Sequence, residues 1–143
     1  MKNELMKLLM AGLLVPGTTL FGADERPIIS GTDTVRVQYQ IKSSGANSWT
    51  TSNTTLKGAT TESMMINTLS ARHPHAQVRI LSVAFPGRTE RMNVRYQLRR
   101  NDAASWTTGS TVLNNSLTES MARNQLSARH PGMEIRILSM VRQ

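Results

Sequence analysis

The chain contains no cysteine, which excludes disulfides, thiolate metal sites and a cysteine nucleophile, and leaves the redox compartment open. Aromatic residues make up only 4% of it, so large rings cannot supply the core. That role falls to nine methionines together with Leu, Ile and Val, a soft and adaptable set. Acidic residues are scarce, nine against seventeen Lys and Arg. No apolar run approaches the roughly 20 residues that a helix needs to cross a bilayer. A glycine-rich phosphate loop, histidines spaced with a carboxylate and a serine in a nucleophile turn are all missing. These absences point away from an enzyme: no catalytic residue, metal ligand, cofactor or small-molecule substrate is expected.

What the chain does have is a duplication. Trp49-Thr50-Thr51 returns as Trp106-Thr107-Thr108, and Thr61-Glu62-Ser63-Met64 as Thr118-Glu119-Ser120-Met121. Ser70-Ala71-Arg72-His73-Pro74 returns as Ser127-Ala128-Arg129-His130-Pro131, and Arg79-Ile80-Leu81-Ser82 as Arg136-Ile137-Leu138-Ser139. Residues 35–84 align with 92–141 without a gap at 25 of 50 positions. A fixed period means one supersecondary unit used twice. A unit of this size buries little surface alone, so the two copies are expected to share a core.

Ahead of the repeats, Lys2 and Lys7 precede an apolar run from Leu8 to Val15, then Pro16-Gly17 and Phe21-Gly22-Ala23. That outline fits a secretory signal peptide and equally a retained apolar helix ended by Pro16-Gly17. Removal of residues 1–23 would place the protein in the periplasm or outside the cell, and retention in the cytoplasm or a virion. Residues 24–34 read as a linker into the first repeat, and 85–91, with Phe85-Pro86-Gly87, as the joint between repeats.

Within one repeat, Val35, Val37, Tyr39 and Ile41 alternate with Arg36, Gln38, Gln40 and Lys42. This period of two marks a half-buried strand. The second copy sets Met92, Val94, Tyr96 and Leu98 inward against Asn93, Arg95, Gln97 and Arg99. Polar turns, 43–47 and 100–103, lead to strands at 49–56 and 106–113, rich in Thr and led by Trp. Thr61 and Thr118 are expected helix N-caps, with Glu62 and Glu119 favouring the positive helix end. Ser116 and Glu119 also have capping-box spacing. Arg72-His73 and Arg129-His130 end the helices before Pro74 and Pro131. Last strands follow at 77–84 and 134–141. The predicted fold is α+β: a tandem β-β-α-β repeat forming a pseudo-twofold twinned domain, the helices on one sheet face and the first strand of each unit central.

The charge belongs to the repeats. Residues 35–84 carry five basic and one acidic residue, 92–141 six and three, while 1–34 sum to −1 within a total of +8. A basic folded surface implies an acidic partner. The open sheet face is the candidate site: Arg36, Gln38, Gln40 and Lys42 with Arg95, Gln97 and Arg99, joined by Arg79 and Arg136 from the last strands. Guanidinium and carboxamide groups grip phosphates and hydrogen-bond base edges. Trp49 and Trp106 are candidate stacking residues, with hairpin packing as the plainer role. Leu81 and Leu138, on the same face by alternation, point instead to a protein contact. His73 and His130 each stand beside an Arg at a helix end, which suits capping and repels a cation. The leading expectation is a non-enzymatic binder of single-stranded DNA, RNA or another acidic polymer. The alternative is a structural subunit of a virion or extracytoplasmic complex, self-associating or binding a protein partner through the open face and the N-terminal segment. Small size, duplication and lack of cysteine also suit a protein of a virus or mobile element.

Overall fold

The computed structural model describes residues 33–143; the apolar segment 1–23 and nearly all of the linker 24–34 lie outside the described residues. The first repeat consists of β1 (Thr34–Ser43), β2 (Thr50–Lys57), α1 (Glu62–Arg72) and β3 (Ala76–Ala84). The second consists of β4 (Arg91–Arg100), β5 (Thr107–Asn114), α2 (Glu119–Arg129) and β6 (Met133–Arg142). The chain is therefore α+β with a repeated β-β-α-β layout. Each repeat builds its own three-stranded sheet, in the orders β2-β1-β3 and β5-β4-β6. The first strand of each unit is central and antiparallel to both neighbours. The outer two strands are thus parallel to each other, which is what a helical crossover between them requires.

Local chemistry accounts for the elements. Val35, Val37 and Tyr39 are buried while Arg36 between them is exposed, so β1 alternates as its sequence does. Thr61 and Thr118 cap the helices, their hydroxyls accepting from the amides of Met64 at 3.2 Å and Met121 at 3.1 Å. His73 and His130 are the C-caps, and Pro74 and Pro131 follow at once. Ser116 takes no part in a capping box; its hydroxyl donates to the Leu81 carbonyl of the first repeat at 3.3 Å.

Both last strands contain a β-bulge. Tyr39 faces Ile80 and Gln38 faces Ser82, leaving Leu81 as the extra residue; Leu138 is its counterpart between Ile137 and Ser139. Because directly paired residues share a face, Ser82 and Ser139 continue the outward row in place of the two leucines. The outward placement of Leu81 and Leu138 by strict alternation is corrected by the bulge, which shifts the phase by one residue.

The seam between the repeats is one-sided. Helix α2 packs on β6 of its own sheet and as extensively on β3 of the first, whereas α1 makes no comparable contact with β6. Met121 of α2 is 0% exposed and belongs to the core of Val35, Val37, Met65, Leu69, Ile80 and Val83 in the first repeat. Its counterpart on α1, Met64, is 44% exposed. Leu81 is 5% exposed under α2, and its counterpart Leu138 is 45% exposed. A twofold axis would give such pairs matching environments, so the expected pseudo-twofold relation does not hold. The physical reason lies in the segment before each helix. Asn115-Ser116-Leu117 supplies two polar side chains and a leucine, where Gly58-Ala59-Thr60 supplies one hydroxyl and one methyl.

Because the first core is completed by the second helix, the repeats should unfold together. Met121→Ala is expected to lower the unfolding free energy of the whole chain by about 2–5 kcal/mol. Met64→Ala, at the equivalent exposed position, should cost less than about 1 kcal/mol in dilute solution. Urea titration followed by circular dichroism reads both, and two separate transitions in the unsubstituted chain would refute the shared core. Fragments 33–86 and 88–143 should each be unfolded alone or dimerise to restore the seam, as judged by amide dispersion in a two-dimensional NMR spectrum.

Candidate functional site

The sheet face turned away from the helices carries the polar side chains of β1 and β4. On the first sheet Gln40 faces Arg79 across the β1–β3 pair, so their side chains share this face. Gln40 accepts from Arg79 Nε at 2.8 Å and donates through its amide nitrogen to Thr51 Oγ1 at 3.0 Å. The Arg79 guanidinium lies 4.1 Å from the ring centre of Trp49, with Lys42 Nζ at 6.0 Å from the same ring. Trp49 stands just before β2 and is half-buried. Burial lowers the pKa of Arg79 from the usual arginine value, yet a guanidinium stays charged at any physiological pH. Gln40, at 6% exposure, is buried on what would otherwise be an open face.

The second sheet repeats the arrangement. Arg136 lies 4.2 Å from the Trp106 ring centre and Arg99 4.6 Å. Gln97 accepts from Arg136 Nη1 at 3.4 Å and donates to Thr108 Oγ1 at 3.3 Å. A Thr–Gln–Arg–Trp chain is therefore present twice, looser in the second copy. One difference matters for charge. Where the first repeat has Gln77, the second has Glu134, which accepts from Arg99 Nη2 at 2.6 Å. The second cluster is partly neutralised, and the first keeps its cations with no acid beside them among the described residues.

Of the nine polar residues expected on this face, the structure gathers Gln40, Lys42 and Arg79 around Trp49, and Gln97, Arg99 and Arg136 around Trp106. Arg36, Gln38 and Arg95 stand farther along their central strands, with Arg36 and Arg95 exposed. The two clusters belong to separate sheets. Trp49 and Trp106 do not present bare rings: each carries two cationic groups within 6.0 Å of its ring centre. Sequence reasoning passed over Thr51 and Thr108, the outer ends of both hydrogen-bonded chains. The signal was present, since each lies two residues after its tryptophan and hence on the same face of the strand.

The histidines belong elsewhere. His73 Nε2 is hydrogen-bonded to the Tyr39 hydroxyl at 3.0 Å, and their ring centres are 5.7 Å apart. His130 lies against Tyr96 with ring centres 6.2 Å apart. Among the described residues no group of three or more His, Asp or Glu could hold a metal ion. The chain matches no protein-family model, and neither curated proteins nor solved structures include a significant match.

Gln40 is the residue that fixes Arg79 on its tryptophan. Gln40→Leu leaves the Arg79 Nε–H and the Thr51 hydroxyl without that partner. A loss of about 1–3 kcal/mol is expected at this buried site, with faster solvent exchange of the Arg79 Nε proton by NMR. Gln97→Leu, where the bonds are longer and exposed, should cost less than half as much. Equal costs in the two copies would contradict the difference in burial.

Proposed function

We propose that the outward sheet faces bind single-stranded nucleic acid, DNA or RNA, through its phosphates, and that the protein has no catalytic activity of its own. The observation that carries this reading is the duplicated Thr–Gln–Arg–Trp chain. In both copies a guanidinium is held in place by a carboxamide on one side and an indole on the other. An arginine fixed before binding loses less side-chain freedom on contact with a phosphate than a free one. Its planar fork also matches two phosphate oxygens at once.

Charge supports the same reading. Six cations (Arg36, Lys42, Arg79, Arg95, Arg99 and Arg136) lie along the two faces within a chain of net charge +8. Gln38, Gln77 and the serines of the bulges add neutral hydrogen-bonding groups between them. In this role Trp49 and Trp106 brace the arginines, and base stacking is secondary. The first face, with no acid beside its cations among the described residues, binds more strongly than the second, where Glu134 competes with phosphate for Arg99.

Fluorescence anisotropy with a labelled single-stranded oligonucleotide, titrated across salt concentrations, tests the proposal. Binding to about four phosphates predicts a slope of log affinity against log salt near −3, or roughly a 50-fold loss between 50 and 200 mM. Arg36→Ala and Arg95→Ala, both at exposed positions, should each weaken binding and shallow the slope by about 0.7 for every phosphate no longer neutralised. Absence of binding at low salt, or an affinity indifferent to salt, would sink the reading.

A further inference from the structure

We infer that the chain associates head to tail with copies of itself: α1 of one molecule docks on the β6 edge of the next, repeating between molecules the contact that α2 makes on β3 within one. The template for this contact is internal. An edge strand offers backbone groups that need a partner, and on β3 the second repeat supplies it. Asn124 donates to the Ile80 carbonyl at 2.9 Å, Gln125 to the Leu81 carbonyl at 2.8 Å, and the Val83 amide to the Asn115 carbonyl at 2.9 Å. The same edge with the same bulge recurs on β6, where no described helix covers it. The same helix with the same cap recurs as α1, where Met64 meets no sheet.

Exposure marks both half-sites. Met64, Leu138 and Val141 are the large hydrophobic residues that stand exposed among the described residues, at 44%, 45% and 60%. Met64 corresponds to Met121 and Leu138 to Leu81, the pair buried at the internal seam. Met64 and Leu138 therefore lie on the surfaces that the internal contact covers in the other copy, while Val141, paired with Asn93, belongs to the outward face. A groove of about 760 Å³ runs over the β6 edge from Glu119 and Arg123 of α2, past Leu138, to the outward cluster around Trp106.

The polar groups match too. Thr118 Oγ1 donates to Glu62 Oε2 at 2.8 Å across the internal seam; Thr61 and Glu119 are the same two residue types at the proposed contact. Asn67 keeps the amide of Asn124, and Gly58, with φ of 81°, keeps the left-handed turn of Asn115, with φ of 58°. Where Leu117 and Ile66 pack against the first core, their counterparts are Thr60 and Arg123, an acceptor facing a donor. One apolar match is thus replaced by a polar one. The contact is heterologous, so it extends into a chain or closes into a ring. With Ala59 for Ser116 and Thr68 for Gln125 it carries fewer donors, which suits reversible association.

Light scattering on the full-length protein across a concentration series should give a mass rising above the 15.8 kDa of one chain. Met64→Arg blocks the helix side and Leu138→Arg the strand side, so each variant alone should be monomeric. Mixed one to one, they retain one good half-site each and should form a dimer that grows no further. A symmetric contact predicts no such rescue. Both substitutions are at exposed positions, and a thermal melt of each variant confirms folding. As a second measurement, Met64→Cys and Leu138→Cys chains, mixed and treated with a short bis-thiol cross-linker, should yield 64–138 links in preference to 64–64 or 138–138. The inference is overturned by a protein that stays monomeric to about 1 mM, whatever else covers the two faces, residues 1–32 included. Variants that keep the unsubstituted mass, or a mixture that stays monomeric, overturn it equally.

Discussion

The structure depends on one constraint, the need to cover the free edge of β3. That strand lies at the margin of its sheet, and its outward backbone groups would otherwise face water or another chain. The second repeat meets the need through a single turn. Asn115 sits in the left-handed region, which asparagine tolerates better than other side chains. From there its carbonyl accepts from the Val83 amide, its own amide donates to the Glu90 carbonyl at 2.7 Å, and its Oδ1 accepts from the Glu90 amide at 2.9 Å. Strand, joint and helix entry are thereby tied at one residue. Once α2 starts from this point, its Asn124, Gln125 and Met121 fall along β3 and the first core closes.

The cost of this solution is asymmetry. A helix that covers β3 as well as β6 cannot stand in the same relation to both, and α1 has no equivalent sheet to cover. The second core, built on Val94, Leu113, Ala122 and Leu126, is correspondingly smaller and more open, with Ile137 and Met140 only half-buried. Ala122 stands where the first repeat has Met65, and α2 places its one methionine, Met121, in the first core.

The outward faces follow a different logic. Like charges on a small sheet repel, and an unbraced arginine row would splay into solvent. Here the indole rings and carboxamides hold four cations close to two tryptophans, which keeps positive potential concentrated on these faces. Cation–π contact of this kind contributes on the order of 0.5–2 kcal/mol per pair, comparable with a hydrogen bond. The Glu134–Arg99 pair separates the two copies in charge while leaving their geometry alike. Duplication has kept the architecture of the face and let its strength diverge.

The elements were legible in the sequence because each is set by local rules. Alternation in 35–42 gave the strand and its faces, Thr61 and Thr118 the helix starts, and Pro74 and Pro131 the ends. The gapless period determined that both repeats share one layout, and the outward Arg and Gln row followed from alternation alone. Three things were not legible. The bulge at Leu81 and Leu138 is a matter of strand pairing, since an extra residue in one strand is visible only against its partner. The bracing of Arg79 by Trp49 depends on which rows come opposite each other across β1. The one-sided seam lay beyond any reading of period, because identical residues such as Met64 and Met121 receive opposite environments from their surroundings. Local propensity and period decide what each segment is. Which faces are covered is decided by packing between segments distant in the chain, and there the three residues before α2 outweigh the 25 that the repeats share.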